Sequence, residues 1–270
     1  MDNETLRRVQ LTQLEILKEV KRVCDSNGIR YWMTYGTLLG AVRHKGFIPW
    51  DDDLDIGMLR DDYERFLAIA EDALDSKYVL QTWDNDPYYQ LPFAKIRKKE
   101  TRYVEFQFRN SKALGGVYID IFPYDHYGAS VVQGITLKTI KLMMLSKCGF
   151  KSWIEPNGIN YKKYFTHLPT RLASKAFSRR TLIRHYYDSA IKYNSKDTSY
   201  YFSQGFDHYY STSLIPKEML EEFCNLSFED DYFRAPANYD GYLRINYGNY
   251  MVLPPEEERE NRHEILDVSL

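Results

Sequence analysis

The chain has 270 residues, 44% of them hydrophobic and 27% charged, enough for one large domain or two small ones around a sizeable core. With 36 basic against 38 acidic residues the formal net charge is −2, which excludes a general basic field for sequence-independent nucleic-acid binding. Cys24, Cys148 and Cys224 are widely separated and show no C-x-x-C spacing, which argues against a disulfide framework or a zinc cluster and fits packing residues in a reducing cytosol.

Residues 1–5 are polar and lack the basic-then-apolar order of a signal peptide. Leu6, Val9, Leu14, Leu17, Val20 and Cys24 then recur at helical spacing, and Asn27-Gly28 ends the pattern as a C-terminal cap. Residues 29–35 read as a strand. Gly36 follows, and residues 37–43 read as a short helix. Strand, small-residue turn and helix N-terminus together make a phosphate site from the backbone N–H groups of Gly36 and Thr37.

The run Asp51-Asp52-Asp53-Leu54-Asp55-Ile56-Gly57 is the most informative segment, because crowded carboxylates repel one another unless a cation or hydrogen bonds compensate them. Residues 53–58 read as a second strand, so Asp53 and Asp55 project from one face while Leu54 and Ile56 enter the core. Oxygen-only ligands favour Mg²⁺ or Mn²⁺, which commonly take one or two carboxylates plus substrate phosphates. A solvated turn is the competing reading. A calcium loop fails, since Ile56 stands where it needs Gly and Asp62 where it needs Glu.

Asp61 and Glu64 supply a capping pattern for a helix through residue 74, with Tyr63, Phe66, Leu67 and Ala70 on one face. Residues 78–82 and 93–97 are shorter strands. Gly115-Gly116 introduces a strand over 117–123 in which Asp120 faces away from Ile119 and Ile121. That carboxylate is a third metal ligand, a base, or an acid satisfied by a neighbouring Arg or backbone N–H. Lys138, Lys141 and Lys147 interrupt the apolar stretch 131–150, which reads as a core or surface helix and leaves peripheral membrane contact open. Residues 170–194 form a basic helix, either a solvated face or a dock for a phosphorylated or lipid-linked acceptor. Residues 200–210 are aromatic-rich, and residues 238–248 read as a short helix closed by Gly248.

The stretches Tyr35-Gly-Thr-Leu-Leu-Gly-Ala-Val-Arg43, Gly46-Phe-Ile-Pro-Trp-Asp-Asp-Asp-Leu-Asp-Ile-Gly57 and Ile119-Asp-Ile-Phe-Pro123 resemble the LicD family of phosphotransferases, whose relatives include the fukutin-related proteins. Tyr239-Asp-Gly-Tyr-Leu243, Tyr247-Gly-Asn-Tyr-Met251 and Leu253-Pro-Pro255 are looser matches. Thr37 departs from the Ser or Gly usual in the wider superfamily, and Asn249 stands where many relatives have Asp.

The resemblance implies an α/β (α+β) nucleotidyltransferase-like fold, a mixed twisted sheet flanked by helices, in one elaborated domain. Its core is 1–125, with a mostly helical acceptor-side insertion at 126–230 and a C-terminal family segment at 231–270. It implies transfer of a phospho-alcohol, best known as phosphocholine from CDP-choline, to a hydroxyl of a glycan or lipid-linked oligosaccharide in cell-surface polysaccharide, teichoic acid or lipopolysaccharide synthesis. The expected place is the cytoplasm, at the inner membrane face.

In that scheme Asp53, Asp55 and Asp120 hold Mg²⁺ or Mn²⁺, and Asp120 is alternatively the base. Gly36 and Thr37 cradle a phosphate, Arg43 or Lys45 clamps another oxygen, and Asp51 and Asp52 orient the ligands. Trp50 or a C-terminal tyrosine contributes an aromatic cage for a choline head group. A glycosyltransferase using a nucleotide-sugar and a nucleotidyltransferase proper share the metal residues, and the transferred group separates the three.

Overall fold

The computed structural model describes residues 1–151, 153–203, 214–261 and 263–270. In chain order the elements are α1 (Asn3–Asn27), β1 (Trp32–Met33), α2 (Tyr35–His44), β2 (Asp55–Leu59), α3 (Arg60–Ala73), β3 (Tyr78–Gln81), β4 (Ala94–Lys98), β5 (Arg102–Glu105) and β6 (Tyr118–His126). They continue with α4 (Val131–Lys147), β7 (Ile154–Glu155), β8 (Gly158–Ile159), α5 (Tyr161–Ser174), α6 (Arg179–Ala190), β9 (Tyr200–Ser203) and β10 (Ile215–Pro216). The chain ends with β11 (Phe223–Phe228), β12 (Asp231–Pro236), α7 (Tyr239–Tyr247) and β13 (Ile265–Ser269). This is a mixed α+β fold.

β6 organises the sheet because it is long enough to take three partners. Residues 120–124 pair in parallel with β2, leaving the opposite edge to be shared by β4 along 118–121 and β9 along 124–126, both antiparallel. β1 extends the sheet beyond β2, β3 beyond β4, and β10 beyond β9. α1 and α3 pack across β6, and α1 buries Leu6, Val9, Leu17, Val20 and Cys24 on the stripe its sequence spacing predicts. Asp2 caps its start by accepting the Thr5 N–H at 2.8 Å, and Gly28, with φ 60°, closes its end in the left-handed conformation that glycine adopts without strain.

Several boundaries differ from expectation, each for a local reason. The first strand stops at Met33 instead of residue 35, because Leu38 N–H reaches back to Thr34 O and α2 begins at Tyr35, a non-glycine residue at φ 44°. β2 begins at Asp55, so Asp53 and Leu54 precede the strand. The Asp61/Glu64 capping pattern does not form: α3 starts at Arg60, whose guanidinium is held by Asp125 and Glu64, and Asp62 pairs with Arg30 and Arg65. The basic segment 170–194 is not one helix. It breaks after Ser174, and Ser178 starts α6 anew by accepting the Thr181 N–H at 3.0 Å. Of the aromatic stretch, residues 204–210 lie outside the described residues.

Among the described residues no helix is long and apolar enough to cross a membrane, and Cys24, Cys148 and Cys224 are free thiols.

Candidate functional site

Strand register places three charged residues in one row. Asp55 on β2 lies opposite Asp120 on β6, and Lys95 on β4 lies opposite Asp120 from the other side. Residues paired across a sheet project to the same face. This row, with Asp51, Asp53 and Glu105, lines a cavity of about 500 Å³ whose remaining wall is largely aromatic. Gly36, at the first turn of α2, lies against Asp51: a Cβ there would stand 2.5 Å from the Asp51 Oδ2 atom, so only glycine fits without displacing that carboxylate.

Local hydrogen bonds fix the row. The Asp55 N–H donates to Thr37 Oγ1 at 2.7 Å, pinning the start of β2 to the first turn of α2. Thr34, Tyr124 and Tyr242 share a buried ring of hydroxyl contacts of 2.6–2.8 Å, which ties the entry to α2, the middle of β6 and α7 together. α7 thereby brings Asn246 and Tyr247 to the cavity.

The electrostatics are those of crowded, desolvated acids. Burial, then the charges of Asp53, Asp120 and Asp51, push the Asp55 carboxyl well above its usual range. Asp120 is also pushed up by burial, against the pull of Lys95, whose Nζ lies 2.6 Å from Asp120 Oδ1. Burial pushes the Lys95 ammonium down, and it sits 3.3 Å from the centroid of the Tyr118 ring. The purely structural reading of Asp120 names an Arg or a backbone N–H as its partner; the partner here is a lysine. Burial raises Glu105, yet Lys95, His263, Gln107 and Tyr118 together hold it below the usual carboxylate range.

Asp52 turns away from this row and is fully buried. Its Oδ2 accepts the Tyr103 hydroxyl at 3.0 Å, its Oδ1 lies 3.1 Å from His263 Nδ1, and its carbonyl accepts from Gln13. Burial opposes the His263 imidazolium, but the bond to Asp52 and the charges of Glu105, Asp52 and Asp53 raise it to about 10.

The expected site residues therefore divide. Asp51, Asp53, Asp55, Asp120 and Gly36 meet at the cavity. Thr37 is buried beneath it with its hydroxyl engaged by Asp55. Arg43, Lys45 and Trp50 do not line it. The Arg43 guanidinium bonds Tyr250 O and His44, Lys45 is the exposed C-terminal cap of α2, and Trp50 packs edge-on to His44 beneath Arg259. Distance along the helix explains this: Arg43 and Lys45 lie two turns or more from the N-terminal end of α2 that faces the cavity.

Lys95, Glu105 and His263 were not anticipated. Lys95 carried a signal, a cation between Ala94 and Ile96 in a strand pattern, whereas Glu105 and His263 arrive through the β5–β13 pairing, which no local pattern announces.

Among the described residues no group of three His, Cys, Asp or Glu side chains forms a ready-made metal centre. Two carboxylates with substrate phosphates suffice for Mg²⁺, and the acid-only donor set with a strongly raised Asp55 fits a divalent cation of that kind.

Fold and cavity define an α+β protein with an acid-lined cleft where β2, β6 and β4 lie side by side. Residues 28–156 match the family described as LicD/FKTN/FKRP, nucleotidyltransferase domain. The chain is 30% identical over 267 residues to lipopolysaccharide cholinephosphotransferase LicD of Haemophilus influenzae, covering 97% of each chain. It belongs to the LicD family. Shorter similarity joins it to human ribitol 5-phosphate transferase FKRP, 45% over 53 residues, covering 18% of this chain and 11% of that one. With mouse ribitol-5-phosphate transferase FKTN it shares 27% over 135 residues, 48% of this chain and 25% of that one.

Proposed function

We propose that this protein is a transferase that moves a phospho-alcohol, in the first instance phosphocholine from CDP-choline, to a glycan hydroxyl. The observation that carries the reading is the register-aligned row Asp55–Asp120–Lys95, with Asp53 alongside, in a chain aligned over nearly its whole length with a cholinephosphotransferase.

Asp53 and Asp55 would hold Mg²⁺ or Mn²⁺ against the donor diphosphate, with Asp120 as a further ligand or as the base; the cation supplies charge neutralisation on the leaving CMP. The acceptor oxygen attacks the phosphorus that bears the alcohol, the bond to the CMP oxygen breaks, and the hydroxyl proton passes to a carboxylate, for which Asp120 is placed. Lys95 holds Asp120 through Oδ1, which leaves Oδ2 for that role. The backbone N–H of Gly36 at the start of α2 favours a phosphate oxygen. Phe93, Phe122, Tyr35 and Tyr247, in place of Trp50, offer ring faces for a quaternary ammonium head group.

The test is nucleotide analysis. Purified protein with CDP-choline, a glycan acceptor and Mg²⁺ or Mn²⁺ is expected to release CMP and to stop on addition of EDTA. Release of UDP or GDP from a nucleotide-sugar, with no CMP from CDP-choline, CDP-ethanolamine or CDP-ribitol, would overturn the proposal in favour of glycosyl transfer.

A further inference from the structure

The cavity lining holds five carboxylates and two basic residues, Lys95 and His263. An anionic ligand entering such a place meets repulsion unless fixed donors receive it. Lys95 is already committed, one N–H to Asp120 and its charge against the Tyr118 ring.

His263 is different. The β5–β13 pairing carries it in: Ile265 lies opposite Glu105, and Phe106 N–H donates to Glu264 O at 2.8 Å. His263 thus stands just beyond the strand end, lining both this cavity and a neighbouring one of about 400 Å³, with 27% of its side chain exposed.

Its surroundings use only one side of the ring. Nδ1 donates to Asp52 Oδ1. The other Asp52 oxygen is taken by the Tyr103 hydroxyl, while Glu105 accepts the Tyr118 hydroxyl on Oε1 and Gln107 on Oε2, each at 2.7 Å. Among the described residues the second ring nitrogen makes no hydrogen bond, and the two nearest acids are already satisfied. A ring nitrogen fixed by a buried carboxylate also fixes the orientation of the other.

We infer that His263 is an anion-binding residue of this cavity, donating its Nε2–H to a phosphate oxygen of a diphosphate-containing ligand. The class of that ligand rests on the donor reading above. Asp52 acts as the positioning residue for the ring, and its negative charge keeps the imidazole protonated at neutral pH. The competing role for His263 is to neutralise buried Asp52 and nothing more.

Calorimetric titration with inorganic pyrophosphate, with and without Mg²⁺, separates the two. The wild-type protein is expected to bind, and His263→Gln to bind about tenfold more weakly, the loss of one charge-assisted hydrogen bond. His263→Arg, which keeps the charge, should restore most of the affinity. In the double variant Asp52→Asn/His263→Gln the loss should persist. Unchanged binding by His263→Gln, no binding by the wild type, or recovery in the double variant would overturn the inference. Displacement of pyrophosphate by CDP-choline on the wild-type protein reports separately on the donor: failure to displace, with the His263 dependence intact, counts against the donor reading alone.

Discussion

The two ends of β6 carry the same chemistry in opposite settings. Asp125, near its C-terminal end, is fully buried and gripped by Arg60 through both oxygens at 2.9 and 2.6 Å, with Asn194 adding a third contact at 2.7 Å. Arg60 is sealed in turn between the rings of Tyr63 and Tyr187. Asp120, five residues earlier, also meets one cation, but Lys95 engages only Oδ1, and the carboxylate borders Asp55 and the open cavity. A fork-to-fork pair whose acid is fully buried and satisfied on both oxygens serves to hold elements together. A carboxylate held on one oxygen, among other acids, is placed to do chemistry.

The largest effect is expected on turnover: Asp53→Asn and Asp55→Asn should each reduce CMP release more than a hundredfold, the usual scale for losing a charged metal ligand. Stability should move the other way for Asp55→Asn. Because the folded carboxyl is raised above its unfolded value, ionised Asp55 costs stability at neutral pH, so this variant should melt no lower than wild type in EDTA. Near-normal turnover in either variant would remove the cavity from the mechanism.

Gly36→Ala should have an intermediate effect, since its methyl group would displace Asp51; a several-fold fall in turnover and a loss of roughly 1 kcal/mol by urea denaturation are expected. An Ala variant indistinguishable from wild type would show that Asp51 is not held where the reaction needs it.

No loss of turnover is needed to see the effect at His263, which is on stability against pH. Its folded pKa, raised to about 10, lies above the unfolded value, so its contribution is fully present below about pH 6.5. That contribution declines as pH rises through the folded pKa. Wild-type stability should therefore lose a component between about pH 6.5 and pH 10 that His263→Gln lacks. Parallel profiles for the two proteins would contradict the ion pair with Asp52.

What was legible in the sequence follows the same division. Asp51 to Asp55 and Asp120 are legible because local alternation sets acids against Leu54, Ile56, Ile119 and Ile121, and α1 is legible because an amphipathic stripe and its caps are local too. The error at Asp53, expected inside the strand, reflects a strand start fixed by the Thr37 hydroxyl, a contact eighteen residues away in the chain. The cations were misplaced for the same reason. Arg43 and Lys45 are close to the acidic run in sequence, but the length of α2 carries them away from the cavity, whereas Lys95 reaches Asp120 by strand register and His263 reaches Asp52 from 211 residues away.

The most direct test of the account measures turnover and thermal melting side by side for Asp120→Asn and Asp125→Asn. The Asp120 variant should lose at least a hundredfold in turnover, the scale expected for a metal ligand or base, while melting close to wild type, because buried Lys95 can shed its proton when its partner's charge is removed. The Asp125 variant should lose ~3 kcal/mol of stability, since the nearly buried Arg60 stays charged and keeps only the half-exposed Glu64 as a partner, and should keep near-normal turnover while folded. If instead the Asp120 variant turns over normally, or the Asp125 variant loses activity without losing stability, the assignment of chemistry to one end of β6 and of structure to the other is wrong.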